Sequence, residues 1–389
     1  MILLDKPYVS EFLQNSLIEK NIPVIHTSVV DELELSPNLN LISEEEAIKL
    51  CENDPNHLLY SNSENAISWI SKQPALGGKY NLISIFKDKA LFREVIRPLY
   101  PNYYFESINL DELEDLDKES MPYPLIFKPA IGFFSMGVYK INNADDWKGL
   151  EKKVLAEIKQ VEHLYPKDVF DSSAFIIEEC IEGREFAIDA YFDKNGKSVI
   201  LNIMEHYFSS GEDVSDRLYA TSDSLIKEFL APFSDLIDSI SKLMGIRNFP
   251  IHLEVRVTED GQIIPIEVNP MRFGGWCTTA DFGGMAWGFN PYHMFFESEK
   301  PNWDDVLASH ENCNYTILLL DNSTDIDGSE IASFNYEAIA SKFSHVLELR
   351  KVDYTKYPIF GFLFLKTNDS DQEALAEILK SSLMEYIEK

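Results

Sequence analysis

One segment, IHLEVRVTEDGQIIPIEVNP, has residue types and spacing suited to binding a metal ion. An aspartate-glycine pair at 260–261 lies between two alternating runs and predicts a two-residue hairpin turn, because both central positions need a positive φ. Such a turn places Glu254 directly opposite Glu267, with Asn269 on the same face. Opposed carboxylates repel each other, and carboxylate and amide oxygens suit Mg²⁺. The alternative is a solvated sheet face in which Arg256 neutralises the two acids.

A second segment, PLIFKPAIGFFSMGVYKI, joins a lysine-bearing strand to a glycine-rich loop. Lys128 ends the strand, and Gly132, Ser135 and Gly137 follow in the loop. Glycine allows backbone N–H groups to approach an anion closely, and a lysine can reach phosphate oxygens as a point charge. The segment therefore predicts a phosphate-binding loop or, alternatively, an ordinary hairpin loop.

A third segment, between residues 174 and 208, contains another hairpin signal, an asparagine-glycine pair at 195–196. A two-residue turn there sets Glu185 opposite His206 and Asp189 opposite Asn202. These polar pairs fit either one wall of a cleft or an ion pair on a surface sheet, and the spacing does not separate the two.

The composition narrows the class of protein. The chain has 389 residues, enough for two or three domains, and its formal net charge is −31. A surface this negative repels nucleic-acid backbones and anionic membranes, although it does not exclude a nucleotide in a locally basic cleft. The four cysteines form no CxxC pair, which argues against a zinc site or a disulfide framework. We therefore expect reduced thiols in a cytoplasmic protein. The apolar runs are of strand length, so we also expect no membrane segment.

The remaining pattern predicts the elements that position these residues. Residues 1–90 alternate short apolar runs with helices, which predicts a small α/β layer with a parallel sheet. Strand-like runs and one helix between 124 and 192 predict a sheet with a covering helix. Hairpins at 185–208 and 251–269 flank an amphipathic helix near 225–244, and the last ninety residues indicate a small α+β unit.

Taken in order, these segments resemble the ATP-grasp superfamily over roughly residues 85–300. The resemblance implies a mixed α/β and α+β protein with the ATP-grasp fold. It also implies an N-terminal Rossmann-like domain, an ATP-grasp domain composed of a small lid subdomain and a large subdomain, and a small C-terminal α+β subdomain. The corresponding boundaries are 1–85, 86–300 (lid about 120–182, large subdomain about 183–300) and 301–389.

The same resemblance implies the residues that bind ATP and metal. Lysines contact the phosphates, the glycine-rich loop covers them, a linker contacts the adenine, and a glutamate holds the ribose hydroxyls. One or two Mg²⁺ ions, or Mn²⁺ in their place, are bound by the acid pair and the asparagine. In this sequence these are Lys89 and Lys128; Gly132, Ser135 and Gly137; Glu178, Glu179, Cys180 and Ile181; Glu185; and Glu254, Glu267 and Asn269.

Beyond the asparagine, the chain reads PMRFGGW, which looks most like the bacilysin-type L-amino-acid ligases. In such enzymes the arginine contacts the substrate carboxylate and the phosphorylated intermediate, which implies this role for Arg272. His252 also fits that subgroup, and Gly274 and Gly275 would let the backbone approach the acceptor. Further candidates for substrate binding are His206 and Arg217; Arg217 and Arg256 are equally compatible with structural ion pairs.

The resemblance implies an ATP-dependent carboxylate–amine ligase that works through an acylphosphate, with Arg272 and Lys128 as catalytic residues. Its substrates would be a small carboxylate, such as an amino acid, and an amine, with no nucleic-acid or membrane partner. Two alternatives remain: a carboxylase or carbamoyl-phosphate type of enzyme with the same fold, and a non-catalytic ATP-binding regulatory protein. The oligomeric state is open, with a homodimer among the options.

Overall fold

The computed structural model describes residues 1–131, 137–161, 171–210 and 215–388. Its N-terminal sheet is parallel, as predicted, with strand order β3-β2-β1-β4. Helices α4 and α5 lead from this layer into the rest of the chain. The elements are β1 (Ile2–Leu3), α1 (Glu11–Glu19), β2 (Val24–His26), β3 (Leu41–Ser43), α2 (Glu44–Asn53), β4 (Tyr60–Ser61), α3 (Ile67–Ile70), α4 (Gly77–Lys87) and α5 (Lys89–Ile96).

A second sheet, the small sheet, is antiparallel and has the strand order β5-β8-β6-β7. Phe127 and Phe175 stack in its core with ring centroids 4.7 Å apart, and Trp147 packs edge-on against Phe127. This agrees with the predicted sheet and covering helix. Its elements are β5 (Phe105–Asn109), β6 (Leu125–Ile131), β7 (Tyr139–Ile141), α6 (Leu150–Val161) and β8 (Asp171–Glu179).

The third sheet, the central sheet, has the order β13-β12-β9-β10-β11-β14-β17-β16 among the described residues. Its first half and the adjoining helices contain the predicted hairpins and amphipathic helix. These elements are β9 (Arg184–Phe192), β10 (Ser198–Tyr207), β11 (Leu218–Ser222), α7 (Asp223–Met244), β12 (Phe249–Val257), β13 (Ile263–Pro270), α8 (Thr278–Trp287), α9 (Pro291–Phe296) and α10 (Trp303–Ser309).

The C-terminal residues extend the central sheet, because β14 pairs with β11. The predicted domain boundaries at 85 and 300 stay predictions. Backbone hydrogen bonds between β11 and β14 join the residues before position 300 to those after it. The last elements are β14 (Asn314–Asp321), β15 (Ser333–Phe334), α11 (Tyr336–Ala340), β16 (Val346–Lys351), β17 (Ile359–Thr367), α12 (Gln372–Lys380) and β18 (Ile387–Glu388), with β15 and β18 forming a separate pair.

Helix α7 covers one face of the central sheet because its apolar residues recur every three or four positions. Phe229, Phe233 and Ile237 are buried, and the Phe229 ring lies 4.6 Å from that of Phe186 in β9. The helix begins where the Ser222 side chain accepts a hydrogen bond from the backbone N–H of Leu225. No helix in the described ranges is long and apolar enough to cross a membrane.

The two hairpins of the central sheet contain three-residue turns, so the predicted two-residue turns are wrong. In the β12–β13 hairpin the Thr258 N–H donates to the Gln262 carbonyl oxygen at 2.9 Å, and Gly261 supplies a positive φ of 82°. In the β9–β10 hairpin the Asp193 N–H donates to the Lys197 carbonyl oxygen at 2.8 Å, and Gly196 has φ 78°. A three-residue loop with glycine in the left-handed region is the next most common hairpin connection.

Each hairpin also contains a β-bulge, which restores the predicted pairing further along. The register shifts between Glu254 and Val255, leaving Ile266 as the extra residue, and Glu254 faces Glu267 directly. The β9–β10 pair shifts in the same way at Leu201. The cross-strand pairs predicted for the site are therefore confirmed, although the turn geometry assumed for them is wrong.

The segment between β8 and β9 depends on a glycine. Gly183 has φ 148°, and a Cβ at this position would lie 2.2 Å from the Val257 carbonyl oxygen. Gly78, in the first turn of α4, has no heavy atom within 4 Å of its Cβ position and no left-handed φ. We expect Gly183→Ala to lower the free energy of unfolding by about 1–3 kcal/mol, and Gly78→Ala to raise it by about 0.5 kcal/mol. Urea denaturation followed by tryptophan fluorescence measures both, and equal effects would contradict this packing.

Candidate active site

A cleft between the small sheet and the central sheet brings most of the predicted residues together. It encloses about 910 Å³, part of it open to solvent. The small sheet and α5 contribute Lys128 and Lys89, and β12 and β13 contribute the opposed glutamates. The predicted residues that line it are Lys89, Lys128, Glu178, Glu179, Ile181, Glu185, His206, Glu254 and Glu267.

The opposed glutamates dominate the electrostatics of the cleft. Glu254 and Glu267 are direct cross-strand partners. Lys89 Nζ lies 3.3 Å from Glu267 Oε2, and His252 Nε2 lies 3.7 Å from Glu254 Oε1. Burial and the charge of Glu267 raise the pKa of Glu254 well above its usual value. Ionisation of both carboxyl groups is therefore costly where the two strands meet.

The donor set at this position fits Mg²⁺. Asn269 lies two residues beyond Glu267 on the same face of β13, is 5% exposed, and its side chain makes no hydrogen bond within the described ranges. Across the same residues no group of three or more His, Cys, Asp or Glu side chains could hold a metal ion. Two carboxylates and one amide oxygen match an ion that takes few protein ligands and completes its octahedron with phosphate oxygens and water.

Arg256 pairs with Glu185 and not with this acid pair, which opposes the alternative in which Arg256 neutralises the two acids. Its Nε donates to Glu185 Oε2 at 2.8 Å and its Nη1 to the Ile181 carbonyl oxygen at 2.6 Å. His206 Nδ1 lies 3.0 Å from the other carboxylate oxygen of Glu185. Burial opposes ionisation of Glu185, but His206 and Arg256 lower its pKa.

The opposite wall of the cleft is a buried cluster of two cations and one carboxylate. Glu178 Oε1 is 2.6 Å from Lys128 Nζ, and Glu178 Oε2 is 2.7 Å from Arg93 Nε. Burial alone would raise the pKa of Glu178, but the two cations lower it to about 2. Burial lowers the pKa of Lys128. The sequence analysis missed Arg93, although its position four residues after Lys89 places both on one face of α5.

Asp216 is a second residue that the sequence analysis missed. It lines the cleft next to β11 and accepts a hydrogen bond from the Tyr219 hydroxyl at 2.8 Å. Burial raises the pKa of Asp216. No spacing pattern indicated this residue, because it lies in the connection between β10 and β11 rather than on a strand with a clear alternation.

The 271–277 loop, which follows β13, carries Arg272, Gly274 and Gly275, and these predicted residues lie outside the lining of the cleft. Arg272 Nη2 donates to Glu64 Oε1 at 2.7 Å. Asp189 Oδ1 accepts a hydrogen bond from the Gly274 N–H at 3.0 Å and lies 2.7 Å from His252 Nδ1. Asp189 therefore connects the loop to the strand that carries Glu254.

The two glycines of this loop have different packing. A Cβ on Gly274 would lie 2.2 Å from Thr279 Oγ1, so packing alone requires glycine there. A Cβ on Gly275 would meet only Arg272 Nη1, at 3.9 Å, and the residue has no left-handed φ. Neither the backbone conformation nor the packing requires a glycine at position 275. The glycine leaves an open space beside the Arg272 guanidinium, and a bound ligand would need such a space.

The structure does not bring all predicted residues to the cleft. Arg217 donates through Nε to Asp321 Oδ1 at 2.6 Å and through Nη1 to the Ile378 carbonyl oxygen at 3.0 Å. These contacts tie Arg217 to the C-terminal residues. They favour a structural ion pair over the substrate contact predicted for Arg217. Cys180 and Gly137 do not line the cleft, and Gly132 and Ser135 lie outside the described residues.

The acid pair makes a prediction about stability. Glu254→Gln removes one of two opposed charges, so in the presence of EDTA it should raise the free energy of unfolding by about 0.5–1 kcal/mol. The same substitution should abolish the stabilisation that added Mg²⁺ gives the wild type. Urea denaturation with EDTA or MgCl₂ measures both effects, and Glu259→Gln in the exposed turn is the control. A variant that is less stable in EDTA but still stabilised by Mg²⁺ would contradict the assignment.

Comparison with known proteins agrees with the architecture. Residues 121–280 match the family model of an ATP-grasp domain. An L-arginine-specific L-amino acid ligase of Bacillus subtilis is 25% identical over 174 residues, 43% of this chain and 38% of that protein. The alignment thus spans less than half the length of this relative.

Two solved structures share the fold. An L-amino acid ligase from Bacillus licheniformis has a TM-score of 0.67 and 16% identity, covering 100% of this chain and 97% of that one. The biotin carboxylase domain of a Hydrogenobacter thermophilus 2-oxoglutarate carboxylase, solved with MgADP and bicarbonate, has a TM-score of 0.61 and 12% identity, covering 94% of this chain and 86% of that one. With the cleft between the two sheets, these findings show an ATP-grasp fold, and residues 121–280 are similar to the ATP-grasp domain family.

Proposed function

We propose that this chain is an ATP-dependent carboxylate–amine ligase that binds Mg-ATP between the small sheet and the central sheet. The observation that carries the proposal is the charge pattern of the cleft. Glu254 and Glu267 face each other on one side, and Lys89 and Lys128 line the other. A triphosphate with its Mg²⁺ ions, or Mn²⁺ in their place, complements both sides, because the metal meets the acids and the phosphate oxygens meet the lysines.

The walls of the cleft supply the remaining contacts for the nucleotide. In this proposal residues 178–181, where β8 leaves the small sheet, meet the adenine edge. Glu185 binds the ribose hydroxyls, exchanging part of its contact with His206 or Arg256. Because Glu178 is already held by Lys128 and Arg93, its role is to position these two cations.

The chemistry requires no protein nucleophile. A carboxylate oxygen of the first substrate attacks the γ-phosphorus of ATP, which gives an acylphosphate and ADP. The nitrogen of the amine then attacks the acyl carbon, inorganic phosphate leaves, and the nitrogen loses a proton to give the amide. Mg²⁺ held by Glu254, Glu267 and Asn269 would supply positive charge to offset that of the transferred phosphoryl group. Arg272 offers a planar fork that matches the carboxylate and then the acylphosphate.

An amino acid is the substrate class that the comparisons favour. The two relatives with ligase names are both L-amino acid ligases, one of them specific for L-arginine. We therefore expect at least one substrate to be an L-amino acid. We expect the product to be a small molecule made in the cytoplasm.

Phosphate release tests the proposal. Purified wild type receives Mg-ATP with L-amino acids and small carboxylic acids, singly and in pairs, and mass spectrometry identifies the product. We expect phosphate and an amide only with particular pairs, loss of both in Glu267→Gln, and wild-type rates in Glu259→Gln. Release that needs bicarbonate but no amine would instead indicate a carboxylase, and nucleotide binding without turnover would favour the regulatory alternative.

Gly275 provides a test of the acyl site. Because a Cβ has room at this position in the structure, Gly275→Ala should leave the free energy of unfolding within about 0.5 kcal/mol of wild type. If a substrate occupies the open space, the KM for the amino acid should rise about tenfold while the KM for ATP stays constant. Gly78→Ala is the matched control, and unchanged kinetics in Gly275→Ala would contradict substrate binding there.

A further inference from the structure

Three neighbouring contacts join the N-terminal layer to the 271–277 loop. The Ser61 N–H donates to the Met271 carbonyl oxygen at 2.8 Å, and the Phe273 N–H donates to the Tyr60 hydroxyl at 3.2 Å. Between them, Arg272 pairs with a carboxylate from the same N-terminal segment. Residues 60–64 thus contact each of the residues 271–273 in turn.

The carboxylate is that of Glu64, and it is almost completely enclosed. Its Oε1 accepts from Arg272 Nε and Nη2, at 3.2 and 2.7 Å, and its Oε2 accepts from Lys87 Nζ at 2.5 Å. The side chains of Glu64 and Arg272 are 9% and 12% exposed. Burial would raise the pKa of Glu64, but the two cations lower it to about 2, so the carboxylate stays charged.

Glu64 fixes the direction of the Arg272 side chain. Arg272 Nη1 donates to the Phe273 carbonyl oxygen at 2.9 Å and lies 3.9 Å from the Cβ position of Gly275. One N–H on Nη1 and one on Nη2 have no acceptor in the described part of the chain. A free N–H on each of two adjacent nitrogens is the fork that binds a carboxylate or phosphate.

The backbone beneath this side chain is also constrained. Met271 has a left-handed φ of 66°, which is costly for a residue with a side chain. Its N–H donates to the Pro250 carbonyl oxygen at 2.9 Å while its carbonyl oxygen accepts from Ser61. The strained conformation is therefore held from both sides, once by β12 and once by the N-terminal layer.

We propose that Glu64 is a positioning residue for Arg272, and that residues 60–64 make the N-terminal layer part of the acyl-substrate site. Glu64 holds one edge of the guanidinium so that the free fork faces the open space over Gly275. The anion bound there is the carboxylate of the first substrate and then its acylphosphate. This inference rests on the proposed function, because it assigns a role within the same reaction.

A double-mutant cycle separates positioning from stability. We expect Glu64→Ala and Arg272→Ala each to lower kcat/KM for the carboxylate substrate by about tenfold or more, with the KM for ATP unchanged. The double variant should be no worse than Arg272→Ala alone, because Glu64 acts only through Arg272. Glu64→Gln, which keeps an acceptor oxygen, should recover part of the loss and serves if the alanine variant does not fold.

Asp238→Asn is the control, because it weakens another ion pair, that of Asp238 with Lys197, and neither of these residues lines the cleft. It should lower stability without changing the kinetics. Additive losses in the double variant, a parallel change in the KM for ATP, or wild-type kinetics in Glu64→Ala would each overturn the proposal.

A second readout does not depend on turnover. With MgADP present, inorganic phosphate should raise the melting temperature of the wild type, and Glu64→Ala and Arg272→Ala should both lose this shift. The shift caused by MgADP alone should be equal in all three proteins. If this pattern holds but no substrate pair gives turnover, the role of Glu64 stands and the proposed ligase function fails. If turnover occurs but Glu64→Ala keeps the phosphate shift, the proposed ligase function stands and the role of Glu64 fails.

Discussion

The repulsion between two carboxylates that the central sheet holds face to face is the constraint on which the site depends. Backbone pairing places Glu254 and Glu267 directly opposite each other on one face of the sheet. Within the described residues, Lys89 is the only lysine or arginine that forms an ion pair with either glutamate, because Arg256 pairs with Glu185. The fold therefore maintains an electrostatic cost that a divalent cation would remove, which is the basis of the metal assignment.

The rest of the cleft is arranged around this pair. On the opposite wall, Glu178 pairs with both Lys128 and Arg93 in an enclosed cluster. Beyond β13, the N-terminal layer holds Arg272 through Glu64. Lys128 and Arg272 are thus each held by a carboxylate from another part of the chain, which fits a reaction that depends on positioning and charge neutralisation.

Local patterns predicted the sheets, the parallel N-terminal layer and the opposed glutamates, because alternation and turn residues act over a few positions. The pairing was right although the turns were not, since the bulges at Leu201 and Ile266 offset the extra turn residue. Glu64 and Arg93 escaped the sequence analysis because their partners lie 208 and 85 residues away. Arg217 was left open between substrate binding and a structural ion pair for the same reason, because its acceptors lie 104 and 161 residues away.

Anomalous scattering from Mn²⁺ tests the central claim most directly. Crystals grown with ADP and MnCl₂ should show an anomalous peak within about 2.5 Å of carboxylate oxygens of both Glu254 and Glu267, with the diphosphate of ADP extending from it toward Lys128. Crystals of Glu267→Gln grown in the same way should lack the peak. Bound ADP without any peak between the two glutamates, or a peak retained in the variant, would contradict the assignment.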